Sequence, residues 1–208
     1  MAESKTSVCN QALARLGAVR INDYTDDTDT KPEAIYCRLF FDQTVRALQK
    51  DHFWPFAKKR VKLSADTEWA GVDTGNDFQY AYAYHLPSDF LRIILFWNAS
   101  DLRDGRTNYS YEIEGKRLLT DEAAVYLKYI KNVTDVGAWD SLFTEVMVLI
   151  LANKLVVPLS QDLEVKEDIA RDIAPLLRKV RAMDRMEERV IGRNALRPWN
   201  NARYTDFA

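Results

Sequence analysis

Histidine is nearly missing from this chain: only His52 and His85 occur among 208 residues. Nucleophile–base catalysis needs a base poised beside a serine or cysteine. His52 instead stands beside Phe53-Trp54, and His85 follows a run of alternating tyrosines. Both read as ordinary surface or core histidines, and no catalytic residue is expected. Cysteine is as scarce. Cys9 and Cys37 fall in segments that read as helices and show no pairing pattern, which suggests buried thiols in a reducing compartment. Two cysteines and two histidines at unrelated spacings give no zinc pattern. Glycines number seven, and Gly71-Val-Asp-Thr-Gly75 is followed by Asn76-Asp77, with no lysine or serine to complete a phosphate loop. Neither metal nor cofactor is expected.

An excess of charge is also lacking. The net charge of −2 gives no basic field to pull the whole protein onto nucleic acid or anionic lipid. The longest apolar run, Val146 to Ala152, is far shorter than a membrane span requires. The opening residues MAESKTS lack the charged-then-apolar plan of a signal peptide. The expectation is a soluble protein made in a cytoplasm.

Carboxylates are plentiful but poorly placed for chemistry. Asp23, Asp26, Asp27 and Asp29 form an acidic loop without the mid-loop glycine and late bidentate glutamate of a calcium-binding EF-hand. It reads as a solvated loop leading into a helix N-terminus. Glu112 and Glu114 would share one face of a strand, close enough to resemble a glycosidase pair. The Glu114-Gly115 turn makes an exposed edge the better reading.

What the chain has is clear periodicity. Val8, Ala12, Leu13 and Leu16 predict a helix over about 6–16, with Gly17 as a left-handed cap. Thr30-Lys31-Pro32-Glu33 reads as a capping box with proline in the first turn. It opens a second helix to about Asp51 that buries Ile35, Leu39, Phe40 and Leu48, with Cys37, Phe41 and Val45 widening the stripe. The period then becomes two. Ala57, Val61 and Leu63 alternate with Lys58, Arg60 and Lys62. Further strands are expected at Tyr80–Tyr84, Leu91–Trp97, Tyr109–Ile113 and Val125–Ile130, with turns at Asp104-Gly105 and Glu114-Gly115.

After Gly137 the helical period returns. Trp139, Leu142, Phe143, Val146, Met147 and Ile150 form a stripe, and Val146 to Ala152 is apolar all round, as in a helix central to its bundle. Pro158-Leu-Ser160 should break it. A final helix from about Asp162 to Ile191 places Ile169, Ile173, Leu176, Val180 and Met183 on one side, with Pro175 able to kink it. The fold class expected is α+β. Two N-terminal helices (1–53) and two C-terminal helices (138–191) make one bundle. An antiparallel sheet of about five strands (54–137) is inserted between them, and an extended C-terminal arm (192–208) follows.

The arm differs from everything before it. Leu196, Trp199, Tyr204 and Phe207 alternate with Arg193, Arg197 and Arg203, the aromatic and arginine content enriched at interface hot spots. Burying its three aromatics removes on the order of 500 Å² from water, roughly 12 kcal/mol gross. Ordering roughly 17 backbone residues costs about 17–34 kcal/mol. Folding of the arm against a partner is the expected behaviour.

The order of motifs carries a resemblance. Ala14-Arg-Leu-Gly17, an acidic loop and Asp51-His-Phe-Trp-Pro-Phe-Ala57 come first. Phe78-Gln-Tyr-Ala-Tyr-Ala-Tyr84 and Leu86-Pro-Ser-Asp-Phe-Leu-Arg92 follow. Tyr111-Glu-Ile-Glu-Gly115, Leu118-Leu-Thr-Asp121 and Trp139-Asp-Ser-Leu-Phe143 complete the series. In this order they resemble the tail tubular protein A family, the head-to-tail adaptors of podoviruses, over about residues 5–190. The resemblance implies a non-enzymatic virion subunit at the portal vertex, made in the bacterial host. It implies a dodecameric ring docked under the portal protein, extending the DNA channel without sequence-specific DNA binding and presenting a platform for the tail nozzle protein. It implies a portal grip by the C-terminal segment, carried by chemistry onto Arg193, Leu196, Arg197, Trp199, Arg203, Tyr204 and Phe207. Lys58, Arg60 and Lys62 are candidate contacts to neighbouring subunits or the nozzle. The alternatives are a virion-associated cell-wall hydrolase, which lacks a catalytic constellation, and a DNA-binding module, which the near-neutral charge disfavours.

Overall fold

The first helical period becomes α1 (Lys5–Arg15) in the computed structural model, which describes residues 4–66, 69, 80–98 and 109–187. Ser4 caps its start, the hydroxyl accepting the Ser7 N–H at 3.1 Å. At the other end the Gly17 N–H donates to Ala14 and the Ala18 N–H to Leu13, with Gly17 at φ +66°. These paired bonds make a Schellman cap, and the glycine supplies the left-handed residue it needs.

The second helix, α2 (Pro32–Asp51), begins with proline at its first position. The expected capping box is absent. The N-cap is Lys31, which offers no side-chain acceptor, and its N–H donates to Asp29 instead. The buried face also differs from the expected one. Ile35 and Leu39 are 45% and 52% exposed, while Ala34, Cys37, Phe41, Thr44, Val45, Leu48 and Gln49 are buried. A stripe drawn through large apolar side chains misses a face completed by small Ala34 and by polar Thr44 and Gln49. Both polar groups are satisfied inside: Thr44 donates to the Phe40 carbonyl and accepts from Lys154, and Gln49 bonds the Val133 backbone.

Helix α3 (Ser141–Leu159) packs against α1, α2 and α4 (Leu163–Glu187), the central place that an all-round apolar helix occupies. Its apolar stretch extends beyond Val146–Ala152. With mean hydropathy 1.9 it meets the length and composition of a membrane span, yet its burial against three helices is that of a core element. Pro158 does not break it but sits in the last turn; the helix ends at Ser160-Gln161, where Gln161 takes φ 56°. In α4, which Asp162 caps through the Glu164 N–H, Ile169 and Val180 are buried and Ile173 and Leu176 half-buried. Met183, expected on that side, is 42% exposed. The helix continues through Pro175. Residues 188–191 of the expected helix lie outside the described residues.

Between α2 and α3 the described residues form six strands in two sheets, not one sheet of five. In chain order they are β1 (Lys58–Lys62), β2 (Tyr82–His85), β3 (Phe90–Trp97), β4 (Tyr111–Glu114), β5 (Arg117–Thr120) and β6 (Tyr126–Lys131). The first sheet has order β1-β6-β3 and the second β2-β5-β4, every neighbouring pair antiparallel. The chain crosses between them just after β1: the Leu63 N–H bonds Val125, Ala65 bridges Tyr84, and the Asp66 N–H bonds Ala83. Strand β5 escapes a period-two reading because Leu118, Leu119 and Thr120 are all buried in succession. Gly115 at φ +58° turns β4 into β5. The expected turn at Asp104-Gly105 lies outside the described residues.

Two cores result. Leu63, Tyr84, Phe96, Leu118, Val125, Leu127 and Tyr129 cluster between the sheets. The larger core belongs to the bundle and takes Ile130 from β6. At its heart Phe143 meets Trp54, Phe56 and Trp139, with ring centroids 4.8, 5.0 and 5.0 Å away and all three rings edge-on.

Candidate interaction surfaces

Both histidines are held by carboxylates rather than aimed at a nucleophile. His52 Nε2 lies 2.8 Å from Asp184, tying the end of α2 to α4, and its ring stands edge-on to Trp54. Arg181 of α4 pairs with Asp51 beside it. His85 Nε2 is 3.5 Å from the buried Asp66, whose carboxylate accepts from Arg117 Nε at 2.7 Å. Among the described residues no group of three or more His, Cys, Asp or Glu could hold a metal ion.

The acidic loop is organised by its own backbone. Asp23, Asp26 and Asp29 accept from the N–H groups of Thr25, Thr28 and Lys31, each two residues on. Bonds from the Thr28 hydroxyl and N–H hold the Asp26 carboxyl below the ordinary carboxylate range. Arg38 of α2 braces the loop through the carbonyls of Asp26 and Asp29. Glu112 and Glu114 occupy alternate positions on β4 and are exposed, as an edge strand places them.

The basic strand is brought together as a face. Lys58, Arg60 and Lys62 stand directly opposite Ile130, Lys128 and Tyr126 of β6. Lys62 Nζ lies 5.8 Å from the Tyr126 ring, which stacks on Trp97 of β3 at 6.2 Å. Like charges opposite one another, as at Arg60 and Lys128, destabilise a sheet.

On the other face of that sheet, Asp89 accepts from the Tyr129 hydroxyl at 2.7 Å and from Lys59 at 3.0 Å. Burial opposes ionisation of Asp89, but these two bonds outweigh it and hold its carboxyl below the ordinary value. Burial, then the bond to Asp89, pushes Tyr129 from 10.0 up to about 12. A depressed acid contributes stability above its unfolded pKa, which is lost as pH falls through the folded one. A raised tyrosine contributes fully below pH 10 and loses its contribution as pH rises through about 12. Urea midpoints should therefore fall on both flanks, and Y129F should flatten the alkaline limb between about pH 10 and 12. An unchanged alkaline limb in that variant would remove Tyr129 from the account.

A cleft of about 460 Å³ opens between the turn after α2, the start of α3 and the end of α4. Trp54, Pro55, Phe56, Leu142 and Met183 make its apolar lining, and Asp140, Ser141 and Asp184 its polar part. Nothing in the sequence foretells this cleft, since it unites three stretches far apart in the chain. Sequence reasoning also missed the meeting of Cys9 and Cys37. Both are buried and free, and the neighbouring Cys37 thiol together with burial pushes Cys9 well up from its ordinary value. Arg193, Leu196, Arg197, Trp199, Arg203, Tyr204 and Phe207, the expected portal grip, lie outside the described residues.

No known family model matches this chain, and no curated protein is significantly similar to it.

Proposed function

We propose that this chain is a structural, non-enzymatic subunit of a bacteriophage virion, a head-to-tail adaptor resembling tail tubular protein A. Copies assemble as a ring, dodecameric by that resemblance, under the portal protein at the tail vertex. The ring extends the DNA channel without reading sequence and offers the tail nozzle protein its platform. Residues 192–208 grip the portal, and the Lys58/Arg60/Lys62 face meets a neighbouring subunit or the nozzle.

The observation that carries this reading is the ordered set of motifs. Its members fall at places that organise the fold. Leu16-Gly17 forms the α1 cap. Trp54-Pro-Phe-Ala57 turns α2 into the first sheet. Leu86-Pro87 joins β2 to the turn before β3, and Trp139-Asp-Ser-Leu-Phe143 starts the central helix and contributes two rings to its aromatic core. Mixing the purified chain with the portal from its own genome should move it into the portal peak on gel filtration at moderate salt. Failure to co-elute, with both proteins folded, would count against the adaptor role and send attention to cell-wall hydrolysis. Salt-dependent binding to DNA would favour the DNA-binding alternative.

A further inference from the structure

The cleft beside the end of α4 offers apolar surface from Trp54, Phe56, Leu142 and Met183, and both charged residues in its lining, Asp140 and Asp184, are acids. Asp140 is the N-cap of α3, and its side chain makes no capping hydrogen bond. Asp184 faces the cleft while bonded to His52. The site therefore fits a ligand that presents an apolar ring next to a cation.

We propose that this cleft is a docking site for the chain's own segment 192–208, with Trp199 in the apolar hollow and Arg197 against Asp140. Three arginines face a single acid, Asp206, in that segment, complementary to the acids of the cleft. Arg197-Pro198-Trp199 places the cation and the largest ring two residues apart around a proline, whose fixed φ lowers the entropy lost on docking. The reach is ample. Met183 to Glu187 is about 6 Å of helix rise, and the segment from Glu187 to Leu196 spans at most about 30 Å extended. A tether of this length gives an effective concentration of about millimolar, so a modest contact is occupied within one molecule.

The docking stands on the cleft and the segment's chemistry. Its consequence rests on the adaptor reading: the same residues cannot fill the cleft and grip the portal at once. The subunit then travels with its grip folded away, and the portal draws it out by competition.

The test uses the full-length protein and its W199A variant, exposed to hydrogen peroxide, with sulfoxide at each methionine followed by mass spectrometry. Met183 lines the cleft; Met186, 84% exposed on the same helix, is the internal control. Met183 should oxidise several-fold faster in the variant while Met186 is unchanged, and its protection in the parent should survive extensive dilution. Equal Met183 rates in the two proteins would overturn the docking. Protection that vanishes on dilution would overturn the within-chain contact in favour of a second copy. Adding the portal should expose Met183 in the parent. Protection that persists beside bound portal would leave the docking in place and remove the competition.

Discussion

Phe143→Ala should lower stability by about 3–5 kcal/mol, the range for deleting a buried aromatic that leaves a cavity. Phe143 is fully buried where α3 begins. Its ring touches Trp54 and Phe56 from the turn after α2 and Trp139 from the turn before α3. Trp139 also stacks on Phe41 of α2 at 6.1 Å. The two tryptophans cannot collapse into the gap without breaking their own bonds. Trp54 Nε1 donates to the Leu48 carbonyl and Trp139 Nε1 to that of Val133. The loss is a large share of the roughly 5–15 kcal/mol that holds a domain together. Urea unfolding reads it directly. The exposed Ile35 provides the contrast: I35A should stay within about 0.5 kcal/mol. A core-sized cost at Ile35 would mean that the buried face of α2 is wrongly placed.

Gln49→Leu should lower stability by about 1–3 kcal/mol, although it adds apolar surface to a buried position. Gln49 is fully buried and grips one backbone unit twice: its Nε2 donates to the Val133 carbonyl at 2.9 Å, and its Oε1 accepts the Val133 N–H at 3.0 Å. Leucine keeps much of the volume and orphans that N–H in the core. The carbonyl keeps its bond from Trp139 Nε1 at 3.0 Å. Because Gln49 and Trp139 share that carbonyl, Q49L and W139F should be non-additive in a double-mutant cycle. A Q49L protein as stable as its parent would show that the link between α2 and the approach to α3 carries no net energy.

The parts of the fold legible in the sequence are those set by local physics. The Gly17 cap, the span of α2, the central place of α3 and the hairpin at Gly115 all follow from period and turn chemistry. Two local expectations failed, the capping box at Thr30 and the break at Pro158; the other failures were set by tertiary context. The buried face of α2 depends on Thr44 and Gln49 having partners 110 and 84 residues away, so size and hydropathy alone misplace Ile35 and Leu39. Strand β5 is buried in succession and carries no alternation. The division into two sheets depends on where the chain crosses after Leu63, which no period encodes. Of the candidate surfaces, the Lys58/Arg60/Lys62 alternation was visible at once. Its aromatic neighbours Tyr126 and Trp97 come from other strands, and so do not show in the local pattern. The cleft was invisible for the same reason, while the composition of residues 192–208 stood out without any structure.

The most direct test of the adaptor proposal is negative-stain microscopy of the purified chain mixed with the portal from its own genome. The account predicts a stacked double ring that is lost when the chain is truncated after Gly192. Free portal beside free subunit, with residues 192–208 intact, would contradict it.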